Sequence, residues 1–214
     1  EGRTRIYQYS SNTWIQLGQD LVGDAGDYSG YSVSLSADGT IVAIGTYHHD
    51  VGSDSTTNEG RTRIYQYSSN TWIQLGQDLV GDAGDWSGYS VSLSADGTIV
   101  AIGAIIGDFS NGRTRIYQYS SNTWTKLGQD ILGDNGERSG YSVSLSADGT
   151  IVAIGARNHD VDYANNNSSN EGRTRIYQYS SNTWSQLGQD LVGEPGDFSG
   201  NSVSLSADGT IVAI

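Results

Sequence analysis

The stretch "SVSLSADGTIVAIG" (Ser90–Gly103), followed after eight residues by "GRTRIYQYSSNTW" (Gly112–Trp124), decides the fold of this chain. Serine and apolar residues alternate along SVSLS, the period-two pattern of a strand with one buried face, and TIVAIG is a short apolar run of the kind shown by a strand covered on both faces. The Asp-Gly pair between them is a strong hairpin signal. RTRIYQYS alternates again; in its first occurrence Arg3, Arg5, Tyr7 and Tyr9 share one face, with Thr4, Ile6 and Gln8 on the other. SSN then turns the chain into a Trp-bearing segment. Together these segments predict a four-stranded antiparallel meander.

Outward from this unit, the sequence repeats it. GRTRIYQYSSNTW begins unchanged at Gly2, Gly60, Gly112 and Gly172, spaced by 58, 52 and 60 residues. All the variation in spacing lies in one loop, Thr46–Glu59, Ala104–Asn111 or Ala156–Glu171. A period in this range signals a propeller, a solenoid or a tandem array. One meander cannot cover both faces of its apolar strand, so several must pack face to face, and a β-propeller does this radially. A linear β-solenoid fits less well, because its coils are shorter and usually lack hairpin turns. The expected fold is all-β, one propeller domain over 1–214, with blades at about 25–82, 83–134 and 135–199 and a further blade closed by 1–24 plus 200–214. In that reading Ile211–Ile214 pairs with Arg3–Tyr9 to close a ring of four blades' worth of strands. Membership of a larger ring or array is the alternative.

Composition narrows the function. Lys and Arg total 11 against 24 acidic residues, a net charge of −13, so a phosphate polyanion is repelled and nucleic acid is not an expected partner. Eight of the eleven cations are the paired arginines of the RTR segments, expected to answer carboxylates such as Asp20 or Asp38. The absence of cysteine removes disulfides and thiolate chemistry. No apolar run is long enough to span a bilayer as a helix, so membrane insertion is not expected. The chain contains no methionine, which marks Glu1 as an expected processed or excerpted start.

"SGYSVSLSADGTIVAIGA" (Ser87–Ala104) followed by "GRTRIYQY" (Gly112–Tyr119) resembles the FG-GAP repeat of integrin α-chain propellers and of many secreted repeat proteins. Gly30, Gly88, Gly140 and Gly200 match its first glycine, but Ser29, Ser87, Ser139 and Ser199 stand where the motif has phenylalanine. Gly103-Ala104 and Gly155-Ala156 keep the start of its Gly-Ala-Pro end, Gly45-Thr46 only the glycine, and the proline is absent. The resemblance implies a propeller in an extracellular or cell-surface setting. It does not bring the family's calcium loop at the first turn, because a single carboxylate (Asp38, Asp96, Asp148 or Asp208) cannot supply six to eight oxygens.

The variable loops and the segment "GDAGDYSG" (Gly23–Gly30) with its equivalents emerge on one side of the meander, where binding usually lives. A ring of carboxylates there, Asp24, Asp27, Asp82, Asp85, Asp134, Glu137, Glu194 and Asp197, could hold a cation such as calcium or form a solvated acidic surface. No other cofactor is expected. Tyr28, Trp86 and Phe198 beside it, with Tyr47, His48, His49, Asp50, Asp108, Phe109, Arg157, His159 and Asp160 in the variable loops, are the candidate ligand-binding residues. Asp50, Asp108 and Asp160 are equally expected to form turns with their own backbone. Asn166 and Asn167 are glycosylation acceptors in a eukaryotic secretory route. No nucleophile elbow or other catalytic constellation stands out. The expected function is a non-enzymatic, extracellular interaction or adhesion module that binds protein or carbohydrate through the variable-loop face. The alternative is a structural building block of a self-assembling fibre or surface coat, with self-association.

Overall fold

A computed structural model describes residues 1–51, 57–106, 110–161 and 169–214. Asp108, Phe109, Asn166 and Asn167 lie outside the described residues. Three successive units each form a five-stranded antiparallel sheet. The first runs β5 (Ser32–Leu35), β6 (Ile41–Thr46), β7 (Arg61–Ser68) and β8 (Thr71–Gln74), with β9 (Leu79–Val80) returning to the start of β7. The second uses β10 (Ser87–Leu93) to β14 (Ile131–Leu132), and the third β15 (Ser142–Leu145) to β19 (Leu191–Val192), in the same order. The register is also the same: Ile41 opposes Gln66, Ile99 opposes Gln118 and Ile151 opposes Gln178.

Turn chemistry explains this regularity. Each SSN hairpin has two successive left-handed residues, Ser69 at φ 51° and Asn70 at φ 64° in the first full unit, as a two-residue turn matching strand twist requires. In the ADG turn, Asp38 Oδ1 accepts hydrogen bonds from Ser36 Oγ at 2.7 Å and from the Thr40 amide at 2.9 Å. The short carboxylate thus fixes the loop locally, and the RTR arginines do not reach it.

The inner strands of neighbouring units are stitched together: Leu93 N donates to Ser34 Oγ, Leu145 N to Ser92 Oγ and Leu205 N to Ser144 Oγ, each at 3.0 Å. Between the sheets lie apolar cores. One gathers Ile41, Ala43 and Ile64 against Val91, Leu93 and Val100; the next repeats it with Ile99, Ala101 and Ile116 against Val143, Leu145 and Val152. At the outer edge Trp72 donates its indole N–H to Leu17 O at 2.7 Å, while Gln19 of the preceding unit bonds both backbone groups of Trp72. Trp124 and Trp184 repeat the clamp. The all-β arrangement of radially repeated antiparallel sheets is that of a β-propeller.

The ends correct the expected ring closure. Within the described residues, β1 (Arg3–Thr4) pairs with β4 (Leu21–Val22), β2 (Tyr7–Ser10) with β3 (Thr13–Gln16), and β20 (Ser204–Leu205) with β21 (Val212–Ala213). None of these joins β21 to β1 or β2. Val33 and Leu35, whose equivalents are buried in the inner units, remain 55% and 49% exposed.

Candidate functional site

The RTR arginines reach across the joint between units rather than only within one. Arg61, at the start of β7, is 3% exposed and contacts Asp24 at 2.8 Å and Asp27 at 2.5 Å in the preceding acidic loop, with Asp78 of its own unit at 3.3 Å. Arg113 meets Asp82 and Asp85, each at 3.1 Å. Arg173 meets Asp134 at 2.7 Å and also pairs with Glu137. Six of the eight expected ring carboxylates are therefore neutralised by guanidinium groups, whose forked donors suit carboxylates. Side-chain hydrogen bonds from the arginines hold Asp24, Asp82 and Asp134 below the usual carboxylate range. Burial instead pushes Asp85 up. Asp24, Asp27 and His49 bring ligand-type atoms within 4.8 Å of one another, but Arg61 lies among them and supplies the positive charge. Among the described residues, no arginine reaches Glu194 or Asp197.

The variable loops use several candidate residues internally. His49 Nδ1 lies 3.1 Å from Asp27, and His159 Nδ1 lies 3.2 Å from Glu137. Both rings thus face the buried carboxylates. Asp50 accepts the Asn58 amide at 2.6 Å, and Asp160 accepts the Asn170 amide, so each closes the base of its own loop.

Above this belt the loops assemble an aromatic strip. Tyr31, Tyr89 and Tyr141 occupy one position in successive units and stand 4.9 Å apart between ring centroids. Tyr47 joins them, 4.5 Å from Tyr31, 5.7 Å from Tyr89 and 5.4 Å from Trp86, and is stacked on Tyr28 at 5.9 Å. His48 meets the edge of Tyr28 at 5.0 Å. Trp86, Arg138 and Phe198 hold φ values of 57°, 55° and 52°. Non-glycine residues rarely adopt this conformation, and it concentrates where side-chain presentation matters.

The strip ends in a cation. Arg157 lies 4.8 Å from the Tyr141 ring centroid and 5.0 Å from that of Phe198, and donates to Tyr141 Oη at 2.8 Å and to Asn201 Oδ1 at 3.2 Å. Its buried Nε has no hydrogen-bond partner, and among the described residues no carboxylate pairs with it. Burial raises the acidity threshold of Tyr141, but the Tyr89 hydroxyl and Arg157 outweigh burial and lower its pKa below the ordinary phenol value. Tyr89 shifts upward through burial and its Tyr141 and Tyr31 neighbours.

Of the residues singled out in the sequence, Tyr28, Tyr47, His48 and Trp86 gather at one end of this strip and Arg157 and Phe198 at the other. Sequence reasoning missed Tyr31, Tyr89, Tyr141 and Asn201. Their signal was the residue after the glycine of each SG pair: tyrosine three times and asparagine once.

No family model and no curated protein sequence matches the chain, so the FG-GAP assignment is not carried beyond its residue pattern. Solved structures share the fold. A candidate 6-phosphogluconolactonase from Bacteroides uniformis superposes with a TM-score of 0.60 at 13% identity, covering 99% of this chain and 57% of its own. Its counterpart from Bacteroides fragilis gives 0.56 at 14% identity, covering 86% and 45%. TolB from Acinetobacter baumannii gives 0.52 at 15% identity, covering 95% and 40%. The chain thus spans about half the length of these neighbours. They establish the β-propeller fold. They also correct the expected function: chains of this shape bear the names of a lactonase and of TolB, and neither a non-enzymatic adhesion module nor a fibre or coat block is what they point to. No helix in the described residues is long and apolar enough to cross a membrane.

Proposed function

We propose that this chain is part of an enzyme-like propeller whose loop face takes a small polyhydroxylated acid or its lactone. The observation that carries this reading is Arg157, a cation without a carboxylate partner among the described residues, held between two aromatic rings on a chain of net charge −13. A guanidinium so placed can receive an oxyanion, while the tyrosine strip offers flat apolar faces and hydroxyl groups to a sugar-like skeleton. Tyr141 is the proton-transfer group. Hydrolysis of a lactone adds water to the acyl carbon and breaks the ring C–O bond; the proton lost by water passes through the Tyr141 oxygen to the departing alkoxide. Arg157 offsets the charge that develops on the carbonyl oxygen.

The neighbours named as 6-phosphogluconolactonases make gluconolactone and its 6-phosphate the first compounds to test. The proposal extends to an extracellular or periplasmic location, supported by the likeness to TolB and by the FG-GAP-like residue pattern of the repeat. Calorimetric titration with 6-phosphogluconate should show binding that Arg157→Gln weakens at least about tenfold, the effect of losing one charge-assisted contact. Tyr141→Phe should retain binding and reduce lactone hydrolysis. Equal affinity in wild type and Arg157→Gln would sink the assignment.

A further inference from the structure

We propose that Arg138 and Arg157 together form a site for a ligand carrying two negative groups, with Arg138 reading a phosphate ester while Arg157 keeps the carboxylate or lactone end. This rests on reading the loop face as a place for a sugar-like acid, and deepens it by naming the second charge and the residue that selects for it. It does not need Tyr141 to transfer a proton.

The repeat sets two positions side by side on this face. The residue before each SG pair is Tyr28, Trp86, Arg138 or Phe198, and the second residue after the glycine of the apolar strand is Tyr47, Ile105 or Arg157. Ile106 N donates to Asp85 O and Asn158 N to Glu137 O, each at 3.2 Å. These bonds bring position 105 next to 86 and position 157 next to 138, and in the first unit the counterparts Tyr47 and Tyr28 stack at 5.9 Å. The first two pairs are aromatic with aromatic and aromatic with aliphatic. The third is two guanidinium groups. Arg157 otherwise takes over the surroundings of Tyr47, which meets Tyr28, Tyr31, Trp86 and Tyr89. Its own contacts are the equivalent Tyr141, Phe198 and Asn201, and the remaining equivalent is Arg138. For Tyr141, burial acts upward and the Tyr89 and Arg157 contacts downward, and the charge on Arg138 adds to the lowering.

Two like charges at adjacent positions repel unless an anion lies between them. Among the described residues no carboxylate fills that role. Nine of the eleven cations pair there with Asp or Glu, and the two that do not are Arg138 and Arg157. Glu137, beside Arg138 in sequence, is 2% exposed and turned to Arg173 and His159. Asp197 folds back to accept the Glu194 amide at 2.9 Å. The buried Nε of Arg157 has no partner, so a desolvated donor stands next to the second cation. A phosphate ester, with its near-double charge and several acceptor oxygens, makes the fullest use of a second guanidinium.

Calorimetric titration of the chain with 6-phosphogluconate and with gluconate tests the pair. The phosphorylated acid should bind at least about tenfold more tightly, the effect of one further charge-assisted contact. Arg138→Gln should remove that preference and leave gluconate affinity unchanged, while Arg157→Gln weakens both. The equivalent position holds Trp86 and Phe198 at the same positive φ, so Arg138→Phe is a second variant expected to keep the fold and lose the preference. Inorganic phosphate should bind saturably, and Arg138→Gln should abolish that binding. Equal affinity for the two acids, or a preference that survives both Arg138 variants, would overturn the proposal and leave the sugar-acid reading standing. Phosphate binding abolished by Arg138→Gln, with 6-phosphogluconate no tighter than phosphate itself, would support Arg138 as the phosphate-reading residue and remove the sugar-acid reading instead. Binding of none of the three would overturn both.

Discussion

Arg61 and Arg157 occupy the same face and have opposite circumstances. Arg61 is enclosed by Asp24, Asp27 and Asp78, and its removal would leave a buried carboxylate, Asp27, without its main counter-charge. Breaking a buried pair on one side costs about 3–5 kcal/mol, so Arg61→Ala should lower Tm on the order of 10 °C by calorimetry. Arg157, stacked and without an acidic partner, should be replaceable with a change in Tm of only about 2 °C, the range of a site away from the core. The acid limit follows from the same groups. Arginine contacts lower Asp24 and Asp134, and the serine and threonine donors of the last ADG turn lower Asp208 to about 2. A folded-state pKa below the unfolded value near 3.9 means that this stability is complete above about pH 4 and is lost as pH falls towards 2. Thermal melts should therefore be level from neutral pH to about 5 and drop steeply below about 4. Asp85, raised by burial, works in the opposite direction and softens the upper part of that fall.

At the scale of the element, the joint between units is a clamp of one tryptophan, one glutamine and one glycine. Trp124 is 2% exposed, and Trp124→Ala should cost about 3–5 kcal/mol in urea unfolding. Trp14→Ala, at 67% exposure, should change the unfolding of the isolated chain by less than about 0.5 kcal/mol. The strands themselves were legible, because alternation, Asp-Gly and the SSN turn are local signals and local chemistry fixes them. The joints were not. Gln19 reaches Trp72 across 53 residues, and nothing near either residue announces the contact. The tyrosine strip escaped for a related reason. Tyr31, Tyr89 and Tyr141 look like ordinary members of a repeated strand, and only the radial stacking of units turns one residue per repeat into a contiguous row. His49 and His159 were legible only as candidate binding residues of the variable loops; that each ring faces a buried carboxylate of an acidic loop, Asp27 or Glu137, follows from the folded arrangement of loops that are distant in sequence.

The whole molecule sorts its charge by position. Of its eleven cations, eight are RTR arginines and Lys126 pairs with Asp130 at 2.7 Å, which leaves Arg138 and Arg157 on the loop face. The repeat predicted the propeller because every unit needs a neighbour on each side. It also suggested closure, and among the described residues the first and last strands are not paired with each other. The opposite face is built of ADG and SSN turns whose residues are the same in every unit, and beside each SSN turn a tyrosine and a tryptophan pack together, as Tyr67 and Trp72 do at 5.1 Å. The most direct test of the functional account is hydrogen–deuterium exchange across the chain with and without saturating 6-phosphogluconate. The account predicts slowed exchange around Tyr89, Tyr141, Arg157 and Phe198, with the turns at Asp96-Gly97 and Ser121-Asn122 unchanged. Protection confined to those turns, or none anywhere despite measured binding, would contradict it.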